Sequence, residues 1–152
     1  HSSHRRQRQM CIRDRRQADA EEVLHGKAIF RDLNCDACHT PSHQTGDSDI
    51  EAFTDQTIWP FTDLLLHDMG EGLADYRPVG DASGLEWKTP PLWGLGLVEA
   101  VNGHTRFLHD GRARNLSEAI LWHGGEAQKS RDAYLALSKT QRDALIAYLE
   151  DL

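Results

Sequence analysis

Apolar residues recur at helical spacing near both ends of the chain and lose that rhythm between them. Val23, Leu24, Ile29, Phe30 and Leu33 form one stripe, with Glu21 and Glu22 near the positive end of the dipole, so a helix is predicted over 18–33. It stops at Asn34, directly before Cys35. At the other end Leu145, Ile146, Leu149 and Leu152 mark a terminal helix, opened by Ser138 and Gln141 at capping-box spacing. Asn115 and Glu118 repeat that spacing ahead of Leu116, Ala119, Ile120 and His123, which predicts a helix closing at Gly124 and Gly125. A short helix is expected near 131–137.

Residues 40–55 are polar and read as loop. From 51 to 114 the periodicity is poor, and Pro60, Gly70, Gly72, Pro78, Gly80, Gly84, Pro90 and Pro91 interrupt it. So long an irregular stretch points to function, disorder or a core filled by something other than protein. Trp59, Trp87 and Trp93 argue against disorder, and a bulky apolar cofactor would supply the missing core. No β-alternation of useful length is visible. The fold class expected is mostly α with long irregular loops.

Charge sharpens this picture when it is counted by segment. The chain has 17 Lys and Arg against 24 Asp and Glu, a net of −7. Residues 1–16 hold six Arg against one Asp, which leaves 11 basic and 23 acidic residues in 17–152, a net of −12. A body this acidic is a poor partner for nucleic acid. The longest apolar runs are far below the ~20 residues of a membrane-spanning helix, and residues 1–20 contain no apolar core of a secretion signal. We expect residues 1–17 to be a disordered or non-native leader, leaving Cys11 outside the chemistry, and residues 18–152 to be one domain.

The chemistry lies in Cys35-Asp36-Ala37-Cys38-His39, the C-x-x-C-H pattern by which c-type haem is attached. Two thiols three positions apart bond the porphyrin edge, and the histidine that follows is placed to coordinate iron as the proximal ligand. A thioredoxin-type dithiol needs a βαβ context that is missing. A zinc site built on Cys35, Cys38 and His39 is sterically poor and lacks a second ligand pair. One covalent haem c is therefore expected, in a cytochrome c-like domain.

The segments GKAIFRDLNCDACHTP (26–41), FTDLLLHDMGEGLAD (61–75), EWKTPPLWGLGL (86–97) and FLHDGRARNLSEAILWHGGEA (107–127) together resemble bacterial dihaem oxidoreductases. These form a thiol oxidoreductase and peroxidase group related to the dihaem cytochrome c peroxidases and MauG. The resemblance covers 22–152 and matches the C-terminal haem domain of such proteins, which implies an absent N-terminal haem domain as a partner. It also implies a distal iron ligand, Met in the peroxidases and Tyr in MauG-like relatives, and His123 falls at that position. Met69 is the alternative ligand. His67 and His109 fall in shared motifs, where hydrogen bonds to loop backbone or to a haem propionate are expected of them.

Lys88, Arg112 and Arg114 are the cations expected to meet the propionates in so acidic a body. Trp93 stands where the peroxidase relatives have Arg; it would pack on the ring or carry an electron, or simply pack in the core. The resulting expectation is an electron-transfer domain of a periplasmic dihaem oxidoreductase, with a basic redox partner. The alternatives are a haem that is itself peroxidatic, or a thiol-redox or zinc module.

Overall fold

In the computed structural model, residues 19–152 are described; the leader and Cys11 lie outside them. The first helix, α1 (Glu21–Asp32), buries Val23, Gly26, Ile29 and Phe30 and carries Glu21 and Glu22 in its first turn. Leu33 ends it, and Asn34 then turns left-handed at φ 60°, a conformation its short polar side chain tolerates. That reversal sends the chain into a 3-10 turn over Cys35–Ala37, so the end of α1 sets the position of the cysteines.

The two short ladders that follow escaped the sequence pattern. β1 (His43–Gln44) pairs antiparallel with β2 (Thr57–Ile58), and β3 (Leu66–Asp68) pairs antiparallel with β4 (Glu86–Lys88). Two or three residues per strand are too few to show an alternation. A five-residue helix, α2 (Val98–Asn102), interrupts the long loop and was likewise not anticipated.

Asn115 caps α3 (Leu116–Trp122) by accepting the Glu118 N–H at 2.8 Å. Only this half of the capping box forms, because the Glu118 carboxylate takes the Arg114 backbone N–H and guanidinium instead. His123 is the C-cap, one residue beyond the last helical turn. The short helix near 131–137 is α4 (Gln128–Ala136), whose buried Tyr134 bonds Ser117 of α3 at 3.0 Å. Ser138 and Gln141 form a complete capping box at the head of α5 (Lys139–Asp151).

The core is built where α1 crosses α5. Gly26 permits the approach, since a Cβ there would lie 2.0 Å from the Ala144 carbonyl oxygen. Around the crossing Val23, Ile29, Phe30, Leu145, Tyr148 and Leu149 are buried together with Phe61 and Leu116. Five α-helices, short ladders and long loops make the described residues mostly α, as the sequence indicates. None of the described helices is long and apolar enough to cross a membrane.

Candidate haem site

The turn bearing Cys35, Cys38 and His39, placed by the end of α1, is also held by the segment 61–63. Phe61, Thr62 and Asp63 donate their backbone N–H groups to the carbonyls of Pro41, Thr40 and Cys38, at 3.4, 3.0 and 2.8 Å. Thr62 is fully buried and bonds the Thr89 carbonyl at 2.7 Å, while His43 Nε2–H donates to the Thr62 carbonyl at 2.6 Å. Phe61 adopts a left-handed φ of 56°, a conformation that costs a bulky residue about 1–2 kcal/mol. That turn offers its carbonyl to the His39 Nδ1–H at 3.1 Å. With Nδ1 spent as a donor, Nε2 keeps its lone pair for a metal.

Aromatic packing fixes the ring from behind. Phe30 lies 5.4 Å from Tyr148, 6.3 Å from Phe61 and 6.4 Å from His39 between ring centroids. Desolvation among these groups is the chief reason the His39 pKa falls to about 4; the neighbouring His123 adds to it, and the Phe61 hydrogen bond opposes it. The imidazole is therefore neutral at ordinary pH, the form that binds metal.

His123 repeats the arrangement from the other side of the sequence. Its Nδ1–H donates to the Ala119 carbonyl at 2.8 Å, leaving Nε2 as the free acceptor. Burial lowers its pKa as well. The turn after it is packed close: a Cβ at Gly124 would lie 2.8 Å from the Met69 carbonyl oxygen, and one at Gly125 would clash with Asp68. Met69 thus sits on the segment adjoining His123, half-buried.

Both cysteines are reduced and partly buried. Burial, with the Asp36 charge added, pushes the Cys35 thiol up to about 12. Burial followed by the charges of Asp63 and Glu126 raises Cys38. Redox-active dithiols show the opposite shift and sit at helix N-termini. These thiols are poor spontaneous nucleophiles, which disfavours the thiol-redox alternative.

His67, on β3, does something the sequence did not signal. Its Nε2 bonds Asp63 at 2.8 Å and its Nδ1 bonds Glu126 at 2.9 Å, rather than loop backbone. Glu126 also accepts the Asp68 N–H at 2.9 Å. The Glu126 hydrogen bond, against some desolvation and helped by Asp63, raises the His67 pKa. One imidazolium therefore ties the segment holding the C-x-x-C-H turn to the segment following His123. Because the folded pKa lies above the unfolded value of about 6.5, the stabilisation is complete below pH 6.5 and fades as pH rises through the folded value. Urea unfolding should show His67→Gln costing up to about 1 kcal/mol near pH 6 and less above pH 8. An unchanged difference across that range would show that the bridge is not a charged one.

The remaining candidates are more scattered. Arg112 bonds Asp110 at 2.6 Å and the Gly72 carbonyl, and its guanidinium lies 4.9 Å from the centre of the Trp122 ring. Arg114 is taken up by Glu118 at 2.9 Å. Lys88 is exposed on β4 and makes no ion pair among the described residues. Trp93 is 43% exposed, so it is not the core residue that its size invites one to assume. His109 stacks on Trp87 with centroids 3.5 Å apart and planes at 12°. Trp87 pairs with His67 across the β3–β4 ladder, and its buried Nε1–H has no partner among the described residues. A recess of about 290 Å³ lies elsewhere, lined by Leu95, Val98, Phe107, Leu116 and Glu150, and touches neither cysteine.

The residues present fit a haem. Two reduced thiols lie on one turn, two neutral imidazoles each keep a free Nε2, and an orphaned indole donor sits on the neighbouring ladder. A mostly α chain with this donor set has the build of a haem-binding oxidoreductase. The family model described as "Di-haem oxidoreductase, putative peroxidase" matches residues 6–152, and the chain belongs to that family. No curated protein and no solved structure matches it.

Proposed function

We propose that this chain carries one covalent haem c on Cys35 and Cys38 and relays electrons as the C-terminal haem domain of a periplasmic dihaem oxidoreductase. His39 would serve as the proximal ligand and His123 as the distal one, with Met69 as the rival for that position. The observation carrying the proposal is the pair of imidazoles whose Nδ1 atoms are both committed to backbone carbonyls, of Phe61 and Ala119. Each ring is thereby fixed in the tautomer that leaves Nε2 for iron. When bound, haem supplies one-electron chemistry, with a potential set by its axial ligands and by burial.

The chain's own residues do the positioning. Phe30, Phe61 and Tyr148 hold His39 against rotation, and the Ala119 carbonyl does the same for His123. Leu64, Leu65 and Leu66, directly after Asp63, are 56, 59 and 49% exposed and offer apolar surface for a macrocycle to cover. Of the three candidate cations Lys88 is the one without an ion pair, whereas Arg112 and Arg114 would have to leave Asp110 and Glu118 first to meet a propionate. Trp93 presents an exposed ring face for packing on the group. The net of −12 over 17–152 suits a basic redox partner beside the N-terminal haem domain.

The test is the optical spectrum of protein matured in a host with periplasmic haem attachment. The expected result is a low-spin ferric spectrum without the methionine–iron charge-transfer band, from haem that survives acid–acetone extraction. Haem that extracts freely would overturn covalent attachment, and a high-spin ferric spectrum would overturn the relay. Cys35→Ser combined with Cys38→Ser should render the haem fully extractable.

A further inference from the structure

Cys38, Asp63 and His67 bring a thiol, a carboxylate and an imidazole together beside the His39 and His123 pair, with their ligand atoms all within 4.8 Å of one another. All three are partly buried. The cluster is not an accident of mobile side chains. The Asp63 N–H is bonded to the Cys38 carbonyl at 2.8 Å, and the Asp63 carboxylate is bonded to His67 Nε2 at 2.8 Å. Glu126 holds the other ring nitrogen, Nδ1, at 2.9 Å.

The geometry points to a divalent transition-metal site on the haem-free chain, with Cys38 Sγ, an Asp63 carboxylate oxygen and His67 Nε2 as ligands and Glu126 orienting the imidazole through Nδ1. Thiolate, imidazole and carboxylate together are the donors that Zn²⁺ takes, and calcium or magnesium would not choose a sulfur ligand. A carboxylate on the far nitrogen of a ligating histidine is the usual outer partner of such a metal, and here it is already in place. Binding releases the Cys38 thiol proton and the Nε2 proton of His67. The dication is then balanced by the Cys38 thiolate and the Asp63 carboxylate. Three protein ligands leave a fourth position for water.

The site also has a consequence for maturation, and this step alone rests on the haem reading. Once the Cys38 sulfur forms a thioether, its anionic donor is gone. Metal and haem therefore exclude each other at Cys38, and a zinc-loaded chain must lose its ion before attachment can proceed.

The test uses the full chain produced without haem-attachment machinery, reduced, and titrated with Co²⁺ alone. One equivalent should bind with a thiolate-to-cobalt charge-transfer band and tetrahedral d–d absorption, both removed by added Zn²⁺. Cys38→Ala should abolish the band, and Cys35→Ala should keep it. Glu126→Gln should weaken binding about 10- to 100-fold, as loss of an outer partner does elsewhere, and His67→Gln by more. Asp63→Asn provides a second ligand variant should His67→Gln unfold, with circular dichroism checking each. The haem-attached protein should show no band. A band lost in Cys35→Ala, or an affinity unchanged in both His67→Gln and Asp63→Asn, would overturn the site. Freely extractable haem would overturn the haem reading and leave the cobalt titration untouched.

Discussion

Replacing His123 by alanine is expected to turn a low-spin haem spectrum into a high-spin one while the haem stays covalently bound. The two halves of that result have separate causes. On the proposed reading attachment depends on Cys35 and Cys38, on and directly after the 3-10 turn that follows α1, and neither has a backbone hydrogen bond to α3. On the same reading the distal position would be filled by a neutral imidazole whose free Nε2 is fixed by the Nδ1 bond to Ala119. Removing it opens one coordination position, and added imidazole should restore the low-spin form. His123 is only a C-cap with a half-buried ring, so the loss in folding stability should stay near the ordinary ~1 kcal/mol of a point substitution. The rival gives a different answer. If Met69 is the ligand, the alanine variant keeps its spectrum, and the wild type shows the methionine–iron band and a raised potential.

The parts of this site that were legible in the sequence are those set by local spacing. C-x-x-C-H needs no tertiary information, and the helices α1 and α5 follow from stripes of four or five apolar residues. The caps at Asn115 and Ser138 could be read for the same reason. What stayed hidden depends on residues far apart in sequence or on backbone conformation. His67 lies 59 residues from Glu126, and nothing local connects them. The left-handed turn at Phe61 has no sequence signature, since a bulky aromatic is the wrong residue for it and only the surrounding packing enforces it. One further pairing is legible in the sequence: Arg114 and Glu118 stand four apart at a helix start, the spacing of an ion pair. That pairing occupies Arg114 and favours Lys88 as a propionate partner.

Gly26→Ala should be strongly damaging, and its sign separates two effects. By helix propensity alone, alanine inside α1 would stabilise the protein by roughly 1 kcal/mol. Against that, the added methyl would sit 2.0 Å from the Ala144 carbonyl oxygen and 2.7 Å from Tyr148 Cβ, inside the α1–α5 crossing. A backbone oxygen cannot rotate away as a side-chain tip can, so the helices must separate and the core between them must open. Overpacking of this kind costs typically 1–3 kcal/mol and sometimes more, and a contact this short belongs at the upper end. A net loss of about 2–3 kcal/mol should lower the melting temperature by roughly 5–10 °C in a domain of this length. The separation also reaches the site, because Phe30 packs on both Tyr148 and His39 and because α1 delivers Cys35. The yield of covalently attached haem should therefore fall together with the melting temperature. Gly46→Ala, in a loop with nothing within 4 Å of the new methyl, should change neither by a measurable amount. A Gly26→Ala protein as stable as the wild type would mean that the helices cross differently, and the placement of the cysteine turn at the end of α1 would fall with that crossing.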